Sequence, residues 1–232
     1  MIKEDLIKNS PVRILEKKTG GTLGAGEIGV LIAPKGVGKT SVIVQIALDK
    51  LLQDKKVIHI SFNQQSDDIL DWYKNIFDEL TKKRNVTNED ELKDELIRNR
   101  IIMNFNQESV TVEVIRNSLR AMIVDGKFKA ESVIIDGFEF AKAKIERIST
   151  LKTFAKELGF SIWYSYSSDN VVNVDKNGVP QVLKTFEDMI DVIVSLDAKP
   201  GCTELSVVKN RDKYRPADST LKLDTKTLLI LQ

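Results

Sequence analysis

Along the first part of the chain, short apolar runs typical of strands take turns with longer segments typical of helices. Short runs rich in β-branched residues predict buried strands at 28–33, 57–62, 101–105, 132–136 and 160–166. Longer segments predict helices at 41–52, from 66 onwards, within the charged stretch 82–100, and at 110–124 and 145–158. Because strands and helices alternate, the pattern predicts an α/β fold in three layers, with a central, mostly parallel sheet covered on both faces.

The C-terminal part of the chain follows a different pattern. Short apolar runs at 190–196, 203–209, 219–223 and 227–231 predict strands in meander order, with a turn at 224–226. The sequence therefore predicts C-terminal β-hairpins after the parallel sheet. A length of 232 residues suits one such domain. We interpret residues 1–232 as a single domain with an N-terminal extension at 1–19.

Composition and charge exclude several classes of function. The 35 lysines and arginines balance 34 aspartates and glutamates, so bulk charge does not favour a nucleic-acid-binding protein. A single cysteine, Cys202, excludes an internal disulfide framework and a cysteine-based zinc site. The single histidine, His59, lies inside an apolar run, where we expect a strand residue rather than a ligand. The first residues are charged and the apolar runs are too short to span a membrane, so we expect a cytoplasmic protein with no membrane partner.

The most specific motif joins the first predicted strand to the first predicted helix. Residues 33–40 read APKGVGKT, which matches the phosphate-binding pattern G-x-x-x-x-G-K-[ST] except for Ala33 at its first position. Glycines let such a loop point its N–H groups at phosphate oxygens, and the following helix adds its positive end. Lys39 would reach the β- and γ-phosphates of ATP, and Thr40 would offer its hydroxyl to Mg²⁺. The predicted nucleotide-binding residues are Pro34, Lys35, Gly36, Val37, Gly38, Lys39, Thr40 and Ser41, with Lys39 also catalytic.

A second motif supplies another predicted metal ligand. Residues 133–136 read VIID, an apolar strand that ends in the carboxylate of Asp136. In proteins with a phosphate-binding loop (P-loop), an aspartate at the end of such a strand holds Mg²⁺. Together the two motifs predict that the protein binds ATP and Mg²⁺, with Thr40 and Asp136 at the metal.

Two further segments resemble a known family. Residues 20–32 read GGTLGAGEIGVLI and resemble the glycine-rich entry to the P-loop of RecA-like ATPases, especially DnaB-type helicases, KaiC and RadA. Residues 207–212 read VVKNRD and resemble the K-N-R segment of the same proteins. The resemblance covers residues 17–231 and implies a RecA-like P-loop NTPase fold. It also implies a homo-oligomer, in which Lys209 and Arg211 are catalytic and act in trans on a neighbouring subunit's nucleotide.

One position departs from the family pattern. RecA-like ATPases usually have a glutamate just after the second strand, where it polarises the attacking water, but this sequence has Asn63. An amide orients water without taking its proton, and the loss of a general base costs about two to four orders of magnitude in rate. We therefore expect slow or partner-stimulated hydrolysis. Asp67, Asp68 and Glu139 are candidate substitutes, although none occupies the matching position.

Alternative functions stay open at the level of the sequence. Asn63 also suits a nucleotide-dependent assembly or regulatory module that binds ATP and barely hydrolyses it. A small-molecule kinase would need an arginine-rich lid, for which the sequence shows no clear candidate. Residues 167–181 match the region of the family's nucleic-acid loops, but they contain one lysine, Lys176, and no aromatic residue. A nucleic-acid partner is therefore allowed by the resemblance but not supported by the charge.

Overall fold

The structure, a computed structural model, describes residues 2–62, 64–82, 89–168, 173–215 and 220–231. Four predictions of the sequence fall partly or wholly outside the described residues. They concern Asn63, residues 83–88 of the charged stretch, residues 169–172 of the candidate nucleic-acid loop, and Ser219 at the start of a predicted strand.

Within the described part of the chain, nine strands form one sheet. They are β1 (Ile28–Pro34), β2 (Lys56–Ser61), β3 (Arg100–Asn104), β4 (Ala130–Asp136), β5 (Ser161–Ser168), β6 (Val192–Lys199), β7 (Cys202–Asn210), β8 (Lys213–Tyr214) and β9 (Thr220–Leu223). The order across the sheet is β3-β2-β4-β5-β1-β6-β7-β8, and β9 also pairs with β7. All pairs from β3 to β6 are parallel, whereas β7 runs antiparallel to β6, β8 and β9. The mostly parallel sheet and its antiparallel C-terminal extension are confirmed.

Helices cover both faces of this sheet. They are α1 (Ile2–Lys8), α2 (Val12–Lys18), α3 (Lys39–Leu52), α4 (Ser66–Lys82), α5 (Glu89–Arg98), α6 (Val112–Arg120) and α7 (Ile145–Leu158). A π-helical turn continues α6 over Ala121–Asp125, and short 3₁₀ helices occupy Phe140–Lys142 and Gln181–Met189. No helix among the described residues is both long enough and apolar enough to cross a membrane.

Side chains of the central strands alternate between two hydrophobic cores. On β1, Leu31 and Ala33 lie in the core shared with α3 and α4, while Val30 and Ile32 lie in the core shared with α6 and α7. Because both faces are buried, the strands read as continuous apolar runs in the sequence. The predicted three-layer α/β architecture is confirmed.

Residues 2–18 fold into two helices that pack on the helix following the P-loop. Leu6, Val12 and Leu15 are buried in the same core as α3. Arg13 Nε donates to Asp49 Oδ1 of α3 over 3.1 Å, and Arg13 Nη2 donates to Asp49 Oδ2. The segment interpreted from the sequence as an extension is thus packed into the body of the domain.

The prediction of a strand at 227–231 is wrong. Ile230 makes only an isolated bridge to Leu223. The side chain of Gln45 takes the place of a pairing strand, because its Nε2 donates to Leu228 O over 2.8 Å and its Oε1 accepts from Ile230 N over 3.0 Å. Leu229 and Ile230 are nevertheless buried, so the apolar pattern there reflects burial rather than strand pairing.

Candidate nucleotide-binding site

The loop between β1 and α3 leaves the sheet at its carboxyl edge. Gly36 and Gly38 have φ angles of +79° and +101°, a conformation that glycine adopts without strain. A Cβ atom on Gly38 would lie 2.9 Å from Leu223 Cδ2, so a side chain there would also force the Leu223 side chain of β9 to move. Ser41 Oγ donates to Gly38 O over 2.8 Å in the first turn of α3. Lys35 and Gly36 form the exposed tip of the loop.

Lys39 opens α3, and its side chain folds back over the loop. The residue is 8% exposed, and its Nζ donates to Pro34 O over 3.2 Å. Burial lowers the pKa of Lys39, the carboxylate of Asp136 opposes that shift, and the charge of Lys35 adds to it. A buried ammonium group with one acceptor among the described residues retains donors for an anion, which would offset the cost of its burial.

Asp136 ends β4 beside the start of α3. It is 5% exposed, its Oδ1 accepts a hydrogen bond from Ser165 Oγ, and Gly137 N donates to Ser165 Oγ over 2.9 Å. Burial raises the pKa of Asp136, whereas hydrogen bonds from Ser165 and Thr40 and the charge of Lys39 lower it. The hydroxyl of Thr40 and the carboxylate of Asp136 therefore meet at the mouth of the loop.

Thr40 and Asp136 fit the ligand preference of Mg²⁺. This ion takes oxygen ligands and usually binds one or two protein side chains together with waters and substrate phosphates. A divalent cation would also compensate the buried charge of Asp136, which Lys39 and the two hydroxyls compensate only in part. These are the residues that would hold Mg²⁺, and their assignment as ligands stays a prediction.

Two cavities flank the carboxyl end of β1. One, of about 620 Å³, is lined by Lys35, Gly137, Phe138, Glu139, Ala141, Lys142, Tyr166 and Ser167. The other, of about 600 Å³, is lined by residues 32–34 of β1, residues 195–197 of β6 and residues 206–208 of β7, together with Val174, Gly178, Pro180 and Arg215. Both volumes lie within the range of about 300–1,000 Å³ that is usual for ligand pockets.

A comparison with known families identifies the chain. Residues 3–147, more than half of its length, match the family model of the AAA domain. The chain belongs to this family. It is accordingly a nucleotide-binding protein of the P-loop ATPase type, a type that generally binds ATP with Mg²⁺. No curated protein matches it.

In this AAA-domain protein, Arg211 lies at the edge of the sheet opposite the P-loop. Asn210 of β7 pairs with Val192 of β6, and Val192 pairs with Gly29 near the start of β1. The P-loop leaves β1 at its other end, after Pro34. The intervening stretch of β1 spans about 16 Å at the usual rise of parallel strands. Arg211 is therefore placed away from the nucleotide site of its own chain.

The guanidinium of Arg211 is held by the glycine-rich entry segment. Its Nε and Nη2 donate to Oε1 and Oε2 of Glu27 over 2.8 and 2.9 Å, and its Nη1 donates to Thr19 O over 2.8 Å. Burial tends to raise the pKa of Glu27, but hydrogen bonds from Arg211 and from Gly24 N hold it below its ordinary value. The contact fixes the geometry of Arg211 within one chain, and its action in trans stays a prediction.

Lys209 is turned into its own domain. It is 7% exposed, and its Nζ donates to Glu187 O over 2.5 Å and to Ile190 O over 2.8 Å. Burial lowers the pKa of Lys209, and the charge of Glu187 opposes that shift. In this arrangement Lys209 braces the end of the 3₁₀ helix Gln181–Met189, and its trans catalytic role stays a prediction.

The candidate carboxylates near the end of β2 differ in their surroundings. Asn63 lies outside the described residues. Asp67 and Asp68 are exposed at the start of α4, where Asp68 Oδ2 accepts from Gln65 N over 3.3 Å. Glu139, three residues beyond β4, lines the cavity of about 620 Å³ together with Lys35. Of the three candidate substitutes for the missing glutamate, Glu139 is the one that lines a cavity together with a P-loop residue, Lys35.

Sequence reasoning missed three residues that contact the predicted site residues or the turn that follows Asp136. Glu27 lies in the glycine-rich entry, and nothing in its sequence context assigns it a role. Ser165 had a usable signal, since it lies on β5, and parallel strands direct their carboxyl ends to the same edge of a sheet. Gln107 has no motif, yet in the amide orientation that satisfies both partners it donates to Gly137 O over 2.9 Å and accepts from Glu139 N over 3.1 Å.

The candidate nucleic-acid loop is ordered around Asp175 in its described part. Asp175 Oδ1 accepts from Asn177 N over 2.8 Å and from Val179 N over 2.9 Å, and its Oδ2 accepts from Lys184 Nζ over 2.9 Å. Lys176 is exposed. Lys184, in the 3₁₀ helix Gln181–Met189, is thus engaged in an ion pair with Asp175. The charges of this loop give no support for a nucleic-acid partner.

Proposed function

We propose that this AAA-domain protein is a RecA-like ATPase that hydrolyses ATP slowly within a homo-oligomer. One observation carries the proposal: Lys39, Thr40 and Asp136 converge at the carboxyl edge of the sheet, on a loop whose two glycines have positive φ. The antiparallel extension of β6 to β9 supports the RecA-like assignment, because the resemblance implies terminal hairpins after the parallel strands.

The residues of the chain act mainly by binding and orienting ATP. The loop amides and the N-terminus of α3 face the phosphates, and Lys39 exchanges its bond to Pro34 O for phosphate oxygens. Mg²⁺, when held by Thr40 and Asp136, supplies positive charge to the β- and γ-phosphates. Ser165 orients the carboxylate of Asp136 through its hydroxyl.

The location of Arg211 supports the proposed oligomerisation. The residue lies at the sheet edge opposite its own P-loop, so an arginine finger at this position acts on a second copy of the chain. Asn63 supports the proposed slow turnover, because an amide can orient water but does not accept its proton as a carboxylate does. In this proposal Arg211 reaches a neighbouring site, and Lys209 supports it by tying the end of β7 to the 3₁₀ helix Gln181–Met189.

Phosphate release at several protein concentrations tests the proposal. Turnover per subunit is expected to rise with concentration in the wild type and to lose that rise in Arg211→Ala. Arg98→Ala, an exposed arginine at the end of α5, serves as the control. Asn63→Glu is expected to raise turnover, by up to about two orders of magnitude if a general base is restored. A concentration-independent rate typical of active RecA-like motors would contradict the proposal.

A regulatory module is the second candidate, and two observations favour it. Asn63 stands at the position of the catalytic glutamate, and Arg211 is fully engaged with Glu27 and Thr19 of its own chain. This candidate predicts that ATP binds, that phosphate release is undetectable at every concentration, and that ATP changes the assembly state measured by light scattering. Detectable turnover that depends on Arg211 decides against it.

A further inference from the structure

The cavity of about 620 Å³ adjoins both parts of the nucleotide site. Lys35 of the P-loop forms one wall, and the residues that directly follow Asp136, from Gly137 to Glu139, form another. In P-loop proteins the terminal phosphate lies next to the loop lysine and the metal ligands. Here those groups are Lys39, Thr40 and Asp136. The cavity adjoins them, because Lys35 belongs to the same loop as Lys39 and Thr40, and Gly137 directly follows Asp136.

Lys35 supplies a cation to this cavity. It is exposed, and it forms no hydrogen bond or ion pair with the described residues. A hydrogen bond with Lys142 lowers the pKa of Glu139, and the charge of Lys35 adds to that effect. Lys35 and Glu139 thus line the same cavity, and the charge of Lys35 reaches the Glu139 carboxylate.

Glu139 presents a carboxylate on a fixed backbone. The Gln107 side chain bridges Gly137 O and Glu139 N, over 2.9 and 3.1 Å, and so holds the turn that follows β4. The carboxylate pairs with Lys142 over 2.7 Å, and the Glu139 side chain is 45% exposed. It thus has access to water while its main chain is held beside the metal-binding end of β4.

We propose that Lys35 and Glu139 form a catalytic pair that acts in cis. Lys35 binds the terminal phosphoryl group of ATP, and Glu139 orients the attacking water, the task that Asn63 performs poorly. The water oxygen forms a bond to the γ-phosphorus while the bond from that phosphorus to the β–γ bridging oxygen breaks. The electron pair of the broken bond leaves with ADP, and the proton of the water passes to Glu139 and then to solvent.

This inference rests on the proposed function, since it adds two residues to the same nucleotide site. It also makes a distinct claim about where catalysis is assembled. Both residues belong to the chain that binds the nucleotide, so they account for a basal rate that needs no neighbouring subunit. Arg211 in trans would then raise that basal rate.

The first experiment compares nucleotide affinities of Lys35→Ala and the wild type. The probes are ADP and an ATP analogue in which a methylene group replaces the β–γ bridging oxygen. Loss of a charged contact to the terminal phosphate is expected to weaken the analogue about tenfold and ADP less than about twofold. Lys129→Ala, an exposed lysine before β4, is the control. An equal loss for both nucleotides, or no loss, would overturn the role of Lys35.

The second experiment measures turnover and affinity in Glu139→Gln. Turnover is expected to fall about 100-fold, while the affinity for the ATP analogue is retained. Glu131→Gln is the matched control, because Glu131 lies at the other end of the β4 segment and its side chain is 54% exposed. Adding Asn63→Glu to Glu139→Gln is expected to restore turnover. Equal rates in the two glutamine variants would overturn the role of Glu139.

The two levels of the proposal fail in distinguishable ways. If wild-type protein binds neither ADP nor the ATP analogue, the proposed function itself is wrong. If it binds both and hydrolyses ATP, but Lys35→Ala and Glu139→Gln match their controls, only this inference is wrong. Circular dichroism and thermal unfolding confirm that the variants fold, which we expect because both side chains are exposed.

Discussion

Arg211 donates two parallel hydrogen bonds to the carboxylate of Glu27, over 2.8 and 2.9 Å, across 184 positions of the chain. The contact joins the end of β7 to the glycine-rich segment that leads into β1. Arg211 Nη1 also donates to Thr19 O over 2.8 Å, just after α2. One arginine thus ties together the N-terminal helices, the entry to the P-loop strand and the C-terminal hairpin.

We expect Arg211→Ala to destabilise the fold more than Glu27→Gln does. The ion pair is partly exposed, at 35% for Arg211 and 26% for Glu27, so its loss alone is expected to cost about 1 kcal/mol. Arg211→Ala also removes the bond to Thr19 O and is expected to cost about 2 kcal/mol. Urea unfolding measures both values, with Arg98→Ala as the control. Arg211→Ala that is as stable as Arg98→Ala would contradict the structural role of this contact.

Lys39→Met is expected to separate nucleotide binding from stability. Removing the buried ammonium should weaken ATP binding at least about tenfold, because a charge-assisted contact to phosphate is lost. The free energy of unfolding without nucleotide should change by less than about 1 kcal/mol, since an imperfectly paired buried charge is replaced by an apolar side chain of similar length. A fluorescent ATP analogue and thermal unfolding measure the two quantities. Lys17→Met, on the exposed side of α2, is the control.

The order of strands and helices could be predicted because buried strands and amphipathic helices have local apolar patterns. The P-loop was predicted for the same reason, since its chemistry is encoded in eight consecutive residues. Asp136 could be located because its strand directly precedes it. The match of residues 3–147 to the AAA domain supports the P-loop ATPase type that the loop motif predicts.

The remaining features depend on contacts between distant parts of the chain. The Gln45 side chain forms hydrogen bonds with Leu228 O and Ile230 N, 183 and 185 positions away, in place of a paired strand. No local sequence pattern predicts these contacts. The helices α1 and α2 are short and charged, so their burial against α3 was not visible in the sequence. The Gln107 side chain fixes the turn after β4 by bonding backbone groups. Because many polar side chains can make such bonds, the sequence does not single out Gln107 for this contact.

Arg13→Ala tests whether the N-terminal helices stabilise the P-loop helix. Burial raises the pKa of Asp49, and hydrogen bonding to Ser10 and the charge of Arg13 oppose that shift. The Asp49 side chain is fully buried and that of Arg13 is 27% exposed, so removing Arg13 leaves a poorly compensated buried charge. We expect a loss of about 2 kcal/mol, less than for a completely buried pair. Urea unfolding of Arg13→Ala and the control Lys17→Ala measures it, and equal midpoints would contradict the prediction.

His59 gives the fold a specific dependence on pH. The residue is fully buried on β2, which confirms the expectation of a strand histidine, and its Nδ1 lies 3.1 Å from the Tyr73 hydroxyl. Burial, assisted by the charge of Arg100, lowers the pKa of His59 to about 3. In the unfolded chain the pKa of histidine is about 6.5. Between these values the unfolded state binds one more proton, so stability falls as the pH falls.

Between pH 7 and pH 5 this residue is expected to remove about 2 kcal/mol of stability. His59→Gln lacks the titrating ring, so its free energy of unfolding should fall by about 2 kcal/mol less over the same interval. Tyr73→Phe keeps the histidine and should retain the pH dependence of the wild type, although its stability is lower at every pH. Urea unfolding at pH 5, 6 and 7 measures the three proteins. If His59→Gln and the wild type lose equal stability on acidification, the neutral buried histidine is not the cause of the loss. The buried carboxylates Asp49 and Asp136 cannot cause such a loss either. Burial raises the pKa of each, so their protonation would favour the folded state in acid.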